Sequence, residues 1–224
     1  MKTMLVLSMG ALLLAGTLSA QTPVPEWQAG VDKMKSLIQT NPAQASEEVG
    51  ELLKGKNKKN VDLVTSVAHV YLDAGKLTEA QEYLAMAKKA NNKDPKVSVL
   101  EGDIALAQKN IGQACQLYEQ AIYFDPNCKE AYLKYAQAYK SASPALAIEK
   151  LEQLKAVDPN CLEADRELAE VYYSSNRFGK AAEMYAKFID TPLATEDDML
   201  KYAFALFLNH DFEKSLQVAQ KGLQ

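Results

Sequence analysis

The sequence predicts an all-α fold, a solenoid of antiparallel helical hairpins. Three observations predict it. Beyond Pro25 the apolar residues recur at helical spacing, as in "VTSVAHVYLDAGKL" from Val64 and "KAAEMYAKFIDTP" from Lys180. The breaks between such stretches are short and rich in Asn, Asp, Gly and Pro. A phrase also returns: "DPNCKEA" (Asp125 to Ala131) reappears 33 residues later as "DPNCLEA" (Asp158 to Ala164). Many helices with short connections form a bundle or a solenoid, and a fixed period selects the solenoid.

Residues 1–20 read as a secretory signal peptide. Lys2 supplies a positive start and "MLVLSMGALLLAG" (Met4 to Gly16) an uncharged apolar run. That run is shorter than the ~20 residues needed to span a bilayer. The small residue Ala20 then precedes a polar, proline-bearing stretch, and Thr17 stands where a lipoprotein signal would carry its Cys. The expected location is therefore the periplasm or cell envelope, with no membrane span after cleavage. Loss of Lys2 takes the formal net charge from −4 to −5. Nucleic-acid binding needs a basic face, and this chain has no basic excess.

Residues 21–60 read as a degenerate first hairpin. Val31, Met34, Leu37 and Ile38 share one helix face, and Val49, Leu52 and Leu53 share the next. "KGKNKK" (Lys54 to Lys59) reads as a solvated turn between hairpins.

From residue 61 a ladder of small and large residues repeats. Gly102 is followed by Ala114, Tyr118, Ala121 and Pro126; Ala169 is followed by Ala181, Tyr185, Phe188 and Pro192. Ala68 leads to Ala80, Leu84 and Ala87, with "NNK" inserted near Asn91 before Pro95. Ala136 leads to Ala147, Leu151, Leu154 and Pro159, one residue short in its turn at Ser143-Pro144; Ala203 leads to Ser215 and Ala219. Small residues midway along one helix and early in the next let the two backbones approach. A larger side chain there would overpack the contact at ~1–3 kcal/mol. The aromatic or Leu four residues after the second small residue lies on the same face and fills the space beside it. Proline then stops the second helix. The repeats fall at 61–94, 95–128, 129–161 and 162–195, with a partial one at 196–224. "FEKSLQVAQKGLQ" reads as a second helix with no polar helix after it. Solenoids need a polar cap, so the protein is expected to continue beyond Gln224.

This pattern resembles the tetratricopeptide repeat family, carried by "AHVYLDAGKLTEAQEYLAMA" from Ala68, "GQACQLYEQAIYFDPN" from Gly112, "AYLKYAQAY" from Ala131 and "LAEVYYSSNRFGKAAEMYAKF" from Leu168. The resemblance covers residues 61–224. Its departures are Glu101 where Leu is usual, the short turn at Ser143-Pro144, and the "NNK" insertion. It implies a right-handed superhelix whose first helices line a concave groove for a peptide or partner helix. By repeat phase the groove candidates are Thr65, His69 and Leu72; Val99, Asp103 and Leu106; Leu133, Gln137 and Lys140; Arg166, Glu170 and Tyr173; and Leu200, Phe204 and Phe207. The family's acceptors of chaperone C-termini carry Lys and Asn at two of these places. This chain carries Thr65/His69, Val99/Asp103, Leu133/Gln137 and Arg166/Glu170, which is no such clamp. The C-terminal end of the groove, with Leu200, Phe204 and Phe207, is more apolar, and reads either as a face for a partner helix or as a face covered by further repeats.

The remaining candidate chemistry is sparse. Cys128 and Cys161 occupy equivalent places just before a first helix, which separates them by at least ~8–10 Å, beyond disulfide reach. They read as small, partly buried residues at helix starts, although a helix N-terminus can lower a thiol pKa. Cys115 lies early in a second helix. His69 reads as a structural or solvated histidine, and neither it nor His210 has metal-ligand spacing. Tyr71, Tyr118, Tyr139, Tyr172 and Tyr185 stand at ladder positions and are expected in the core, whereas Tyr173 is a surface candidate. No nucleophile elbow, phosphate loop or dinucleotide fingerprint occurs. The expected function is non-catalytic protein binding, as a scaffold in the cell envelope, with no cofactor and no metal. The alternatives are an accessory region of a larger exported enzyme or sensor, and a self-association module.

Overall fold

The computed structural model describes residues 24–222. The signal-peptide reading of residues 1–20 lies outside them. Among the described residues are twelve α-helices, one 3-10 turn and no strand. The helices pair as α1 (Gln28–Leu37) with α2 (Pro42–Leu52), α3 (Val61–Asp73) with α4 (Leu77–Asn91), and α5 (Pro95–Ala107) with α6 (Ile111–Phe124). The pairing continues as α7 (Lys129–Tyr139) with α8 (Pro144–Val157), α9 (Leu162–Ser174) with α10 (Phe178–Phe188), and α11 (Glu196–Leu208) with α12 (Phe212–Lys221). "KGKNKK" becomes the 3-10 turn over Gly55–Lys59, held by Asn57, which donates its side-chain amide to the Leu52 carbonyl at 2.9 Å.

Side-chain oxygens start several helices. Asn60 accepts from the Leu63 amide, Asn110 from Gln113 and Asp211 from Lys214, each satisfying a backbone N–H that the helix leaves unpaired. Thr195 and Asp198 form a reciprocal capping box on α11. Pro42, Pro95 and Pro144 occupy first-turn positions, where the missing N–H costs nothing.

Inside four hairpins the first helix stops in the same way. Gly75, Lys109, Asn176 and His210 all take positive φ, at 75°, 64°, 58° and 63°. In each, the next residue's amide reaches back five residues: Lys76 to Tyr71, Asn110 to Ala105, Arg177 to Tyr172 and Asp211 to Leu206, at 2.8–2.9 Å. The amide of the positive-φ residue itself bonds three residues back, which completes a Schellman motif. The fourth hairpin, α7 with α8, is the short one. Its turn residue Ser143 sits at φ −151°, so the deleted residue is the left-handed one. The "NNK" insertion is absorbed differently: α4 runs on to Asn91 and becomes the longest helix.

The ladder residues lie where the helices touch. Ala68, Ala80, Ala87, Ala114, Ala121, Ala136, Ala147, Ala169 and Ala181 are completely enclosed. Tyr118, Leu151, Leu154, Tyr185 and Phe188 fill the space beside them. Tyr139 departs from expectation. It is only half-buried, packed at the edge of the core and tilted against the buried Tyr135. First helices touch one another directly across hairpins, α1 to α3, α3 to α5, α5 to α7 and α7 to α9. From α4 to α10, second helices meet instead the first helix of the next hairpin. The first helices therefore form the inner layer of the solenoid, and the apolar core lies between the layers.

The left-handed turns give a stability prediction. A non-glycine residue in that region costs ~1–2 kcal/mol, and glycine's extra freedom in the unfolded chain returns ~0.5–1 kcal/mol of that. Lys109→Gly is expected to raise unfolding free energy by about 0.5–1 kcal/mol in urea titrations. Asn176→Gly is expected to gain less, because Asn tolerates the conformation.

Candidate functional site

The inner layer carries two kinds of surface. Towards the N-terminal half it is a set of carboxylates bound by neighbouring hairpins. Asp103, on α5, is 8% exposed and accepts from three other helices. Tyr118 of α6 donates its hydroxyl to Oδ1 at 2.7 Å, and Lys134 of α7 donates Nζ to Oδ2 at 3.0 Å. His69 Nε2 of α3 lies 3.1 Å from the same Oδ2. Burial alone would raise the Asp103 pKa, but the hydrogen bonds from His69 and Tyr118 and the Lys134 charge outweigh it, and the carboxyl is held below its usual range. The phenol of Tyr118 is pushed up in turn, by burial and by the carboxylate beside it.

The same construction returns 67 residues later. Glu170 accepts from the Tyr185 hydroxyl at 2.9 Å and from Lys201 at 3.0 Å. Asp103/Tyr118/Lys134 and Glu170/Tyr185/Lys201 are equivalent trios two repeats apart. The shorter carboxylate follows Gly102 and the longer one follows Ala169. Arg166 pairs with the buried Asp198 at 3.1 Å, Lys96 with Asp62 at 2.5 Å, and Lys129 with Glu163 at 2.7 Å. Each pair crosses from one hairpin to the next.

Towards the C-terminal half the inner layer turns apolar and aromatic. On α11, Leu200, Phe204 and Phe207 are 67%, 50% and 51% exposed. Tyr173 of α9 lies edge-on to Phe178 at 5.7 Å and tilted to Phe204 at 6.5 Å. Phe204 stacks on Phe207, and Phe207 meets Phe212 of α12 edge-on at 5.4 Å. Leu216 extends the exposed apolar surface along α12.

Some groove candidates are corrected by these positions. Thr65 is buried, with its hydroxyl donating to the Val61 carbonyl of its own helix at 2.8 Å. Val99 is buried between hairpins, and Asp103 is enclosed by its three partners. These three serve packing rather than an open face. His69, Leu72, Leu106, Leu133, Lys140, Arg166, Glu170 and Tyr173 are half-buried, while Gln137, Leu200, Phe204 and Phe207 are exposed. Gln137 donates to Glu167 at 2.7 Å. Repeat phase carries no signal for the inter-hairpin ion pairs, although Asp62 to Lys96 and Lys129 to Glu163 share a 34-residue spacing.

The cysteines are free thiols. Cys128 and Cys161 are the residues preceding α7 and α9, as expected. The helix N-terminus does not activate them: burial, the largest influence, raises both thiol pKa values despite a backbone amide bond that favours the thiolate. Cys115 is buried and pushed up to about 11. Among the described residues no group of three or more His, Cys, Asp or Glu is placed to hold a metal, and no helix is long and apolar enough to cross a membrane.

Comparisons with known proteins place this architecture. The tetratricopeptide repeat family model matches residues 67–129 and 137–194, just over half of the chain. Among solved structures, PilW, described as a widely conserved type IV pilus biogenesis factor, superposes with a TM-score of 0.67 at 16% identity. That match covers 87% of this chain and 90% of PilW. PilF of Pseudomonas aeruginosa gives 0.65 at 17% identity, covering 87% and 89%. YrrB, described as a repeat protein of this family with an unusual peptide-binding site, gives 0.55 at 14% identity, covering 78% and 90%. At these identities the likeness is one of fold. No curated protein sequence matches the chain.

The Asp103 cluster predicts a pH dependence. Its carboxyl is depressed in the folded protein, so its stabilisation is fully present above the unfolded value near ~3.9 and is lost as pH falls through the folded value. Asp103→Asn is expected to cost about 1–3 kcal/mol at neutral pH. It should also lose less stability than the parent between pH 5 and pH 2, measured by urea unfolding across that range.

Proposed function

The chain belongs to the tetratricopeptide repeat family, and on that premise we propose that it is a non-catalytic scaffold that binds a protein partner in the cell envelope. The single observation that carries the binding role is the exposed aromatic surface of the inner layer. Leu200, Phe204 and Phe207 keep half or more of their surface in water, while Phe204 touches Tyr173 and Phe207 touches Phe212. A contiguous apolar patch of this kind, rimmed by paired charges, is characteristic of an interaction site. The hairpins behind it are fixed by enclosed alanines and inter-hairpin ion pairs, so the surface is presented on a rigid frame and little ordering is needed on binding.

The envelope location is supported by the signal-peptide reading of residues 1–20. The reading is in keeping with the fold likeness to PilW, described as a type IV pilus biogenesis factor.

The test uses the chain secreted by its own cells. The purified protein is expected to begin at Gln21 by intact mass; a full-length Met1 chain would sink the export reading. Immobilised wild-type protein should retain a defined set of envelope proteins that Phe204→Ala/Phe207→Ala loses. The exposed rings should leave unfolding free energy within about 0.5 kcal/mol of wild type. Retention of the same set by a correctly folded double variant contradicts the assignment of the aromatic surface.

A further inference from the structure

The edge of the solenoid where one hairpin passes to the next changes sign along the molecule. At its N-terminal end that edge is basic. The 3-10 turn between the first two hairpins carries Lys56, Lys58 and Lys59, and it packs against both α3 and α4. α4 runs back towards this turn and carries Lys89 in its last turn; Lys93 follows in the next connection. All five lysines are exposed, and none forms an ion pair among the described residues. Carboxylates nearby already hold other lysines: Glu51 holds Lys54, Asp62 holds Lys96 and Glu101 holds Lys88. Glu26 and Asp94 also lie at this edge, and Asp94 accepts the Lys96 backbone amide as the cap of α5. Positive charge remains in excess.

Further along, the corresponding connections are "DPN" at Asp125 and Asp158, with an acidic residue and no lysine. The basic turn also concentrates its charge. A 3-10 helix rises ~2.0 Å per residue and eclipses residues three apart. Lys56 and Lys59 therefore share a side about 6 Å apart along the axis, less than the ~8 Å screening length at physiological salt. Asn57 holds the turn shut on the Leu52 carbonyl, so unwinding does not relieve the repulsion. An opposing anionic surface does relieve it.

We propose that this edge docks the first two hairpins on an anionic lipid surface. Lysines near such a surface gain about fivefold in partitioning each, and a cluster of several suffices for reversible attachment. The neighbouring residues favour lipid over an acidic protein. α1 begins at the same edge, where Val24 is 76% exposed and Trp27 is half-buried. An indole beside an exposed apolar side chain suits the membrane–water boundary. The same surface repels Asp125 and Asp158, so the solenoid stands on its N-terminal hairpins. The aromatic surface of α11, at the other end of the chain of hairpins, stays free for a protein partner.

The experiment is cosedimentation of the chain purified from its own cells with lipid vesicles. One set is phosphatidylcholine with roughly one-third phosphatidylglycerol, and the other is phosphatidylcholine alone. Wild-type protein is expected to sediment with the anionic vesicles only, and to be released by about 0.5 M salt. Lys56→Gln/Lys58→Gln/Lys59→Gln should weaken the partitioning roughly tenfold to a hundredfold, with its urea unfolding unchanged. Lys109→Gln/Lys180→Gln/Lys214→Gln removes the same charge from three other hairpins and should stay within about threefold of wild type. Equal binding to both vesicles, no binding to either, or equal weakening in the two triple variants overturns the proposal. Binding to immobilised polyglutamate with none to vesicles assigns the edge to an acidic protein and overturns it too. These outcomes leave the binding role standing, because that role is read from Phe204 and Phe207.

Discussion

The close approach of paired helices at their small residues is the constraint on which the rest of this structure depends. It is tight at Gly102. A Cβ built there would lie 2.5 Å from Cε1 and 2.8 Å from Cδ1 of Tyr118, distances that no packed carbon sustains. Because Gly102 has no side chain, the Tyr118 ring lies against α5 fully enclosed, and its hydroxyl reaches Asp103. Because Tyr118 and burial fix that carboxylate, His69 and Lys134 meet it from the hairpins on either side. One missing methyl group therefore positions a contact among α3, α5, α6 and α7, and with it the register of three hairpins in the inner layer.

That register has a functional consequence. A solenoid derives its stability from each hairpin packing on the next, and a binding face spread over several hairpins keeps its shape only if their steps are fixed. Buried carboxylates do this here with one charge each. Asp165 is 2% exposed and takes Lys155 at 2.7 Å and Lys187 at 3.2 Å, from helices on either side of α9 in sequence. Asp198 is 1% exposed; burial would raise its pKa, but Thr195 and Arg166 hold it below its usual range. Such pairs are weak sources of net stability, since desolvation offsets most of the attraction. Their contribution is direction: each side chain accepts only the step that brings its partner into place.

The parts of this account legible in the sequence are those with a local cause. The ladder of Ala, Tyr and Leu dictated hairpins because small and large residues at fixed intervals admit few packings. The phase of that ladder separates first helices from second, and among its first-helix residues Phe204 and Phe207 are exposed. What stayed hidden depends on pairs far apart in the chain. Nothing local marks Asp103 as buried, since its three partners come from three other helices. Thr65 and Val99 occupy groove phase yet face inward, because a hairpin's rotation about its axis is set by its neighbours. Tyr139 lies only half-buried at the edge of the core, in the hairpin whose turn is one residue short.

Gly102→Ala separates the packing account from a local one. Helix propensity alone predicts that this substitution stabilises α5 by up to ~1 kcal/mol. The close approach predicts overpacking of about 1–3 kcal/mol against a ring that has no free space and a hydroxyl already committed to Asp103. Urea unfolding of Gly102→Ala is the direct measurement. A net loss of about 1–2 kcal/mol, partly recovered when Tyr118 is shortened to Leu in the same chain, is the expected result. A gain in stability for Gly102→Ala with Tyr118 intact would contradict it.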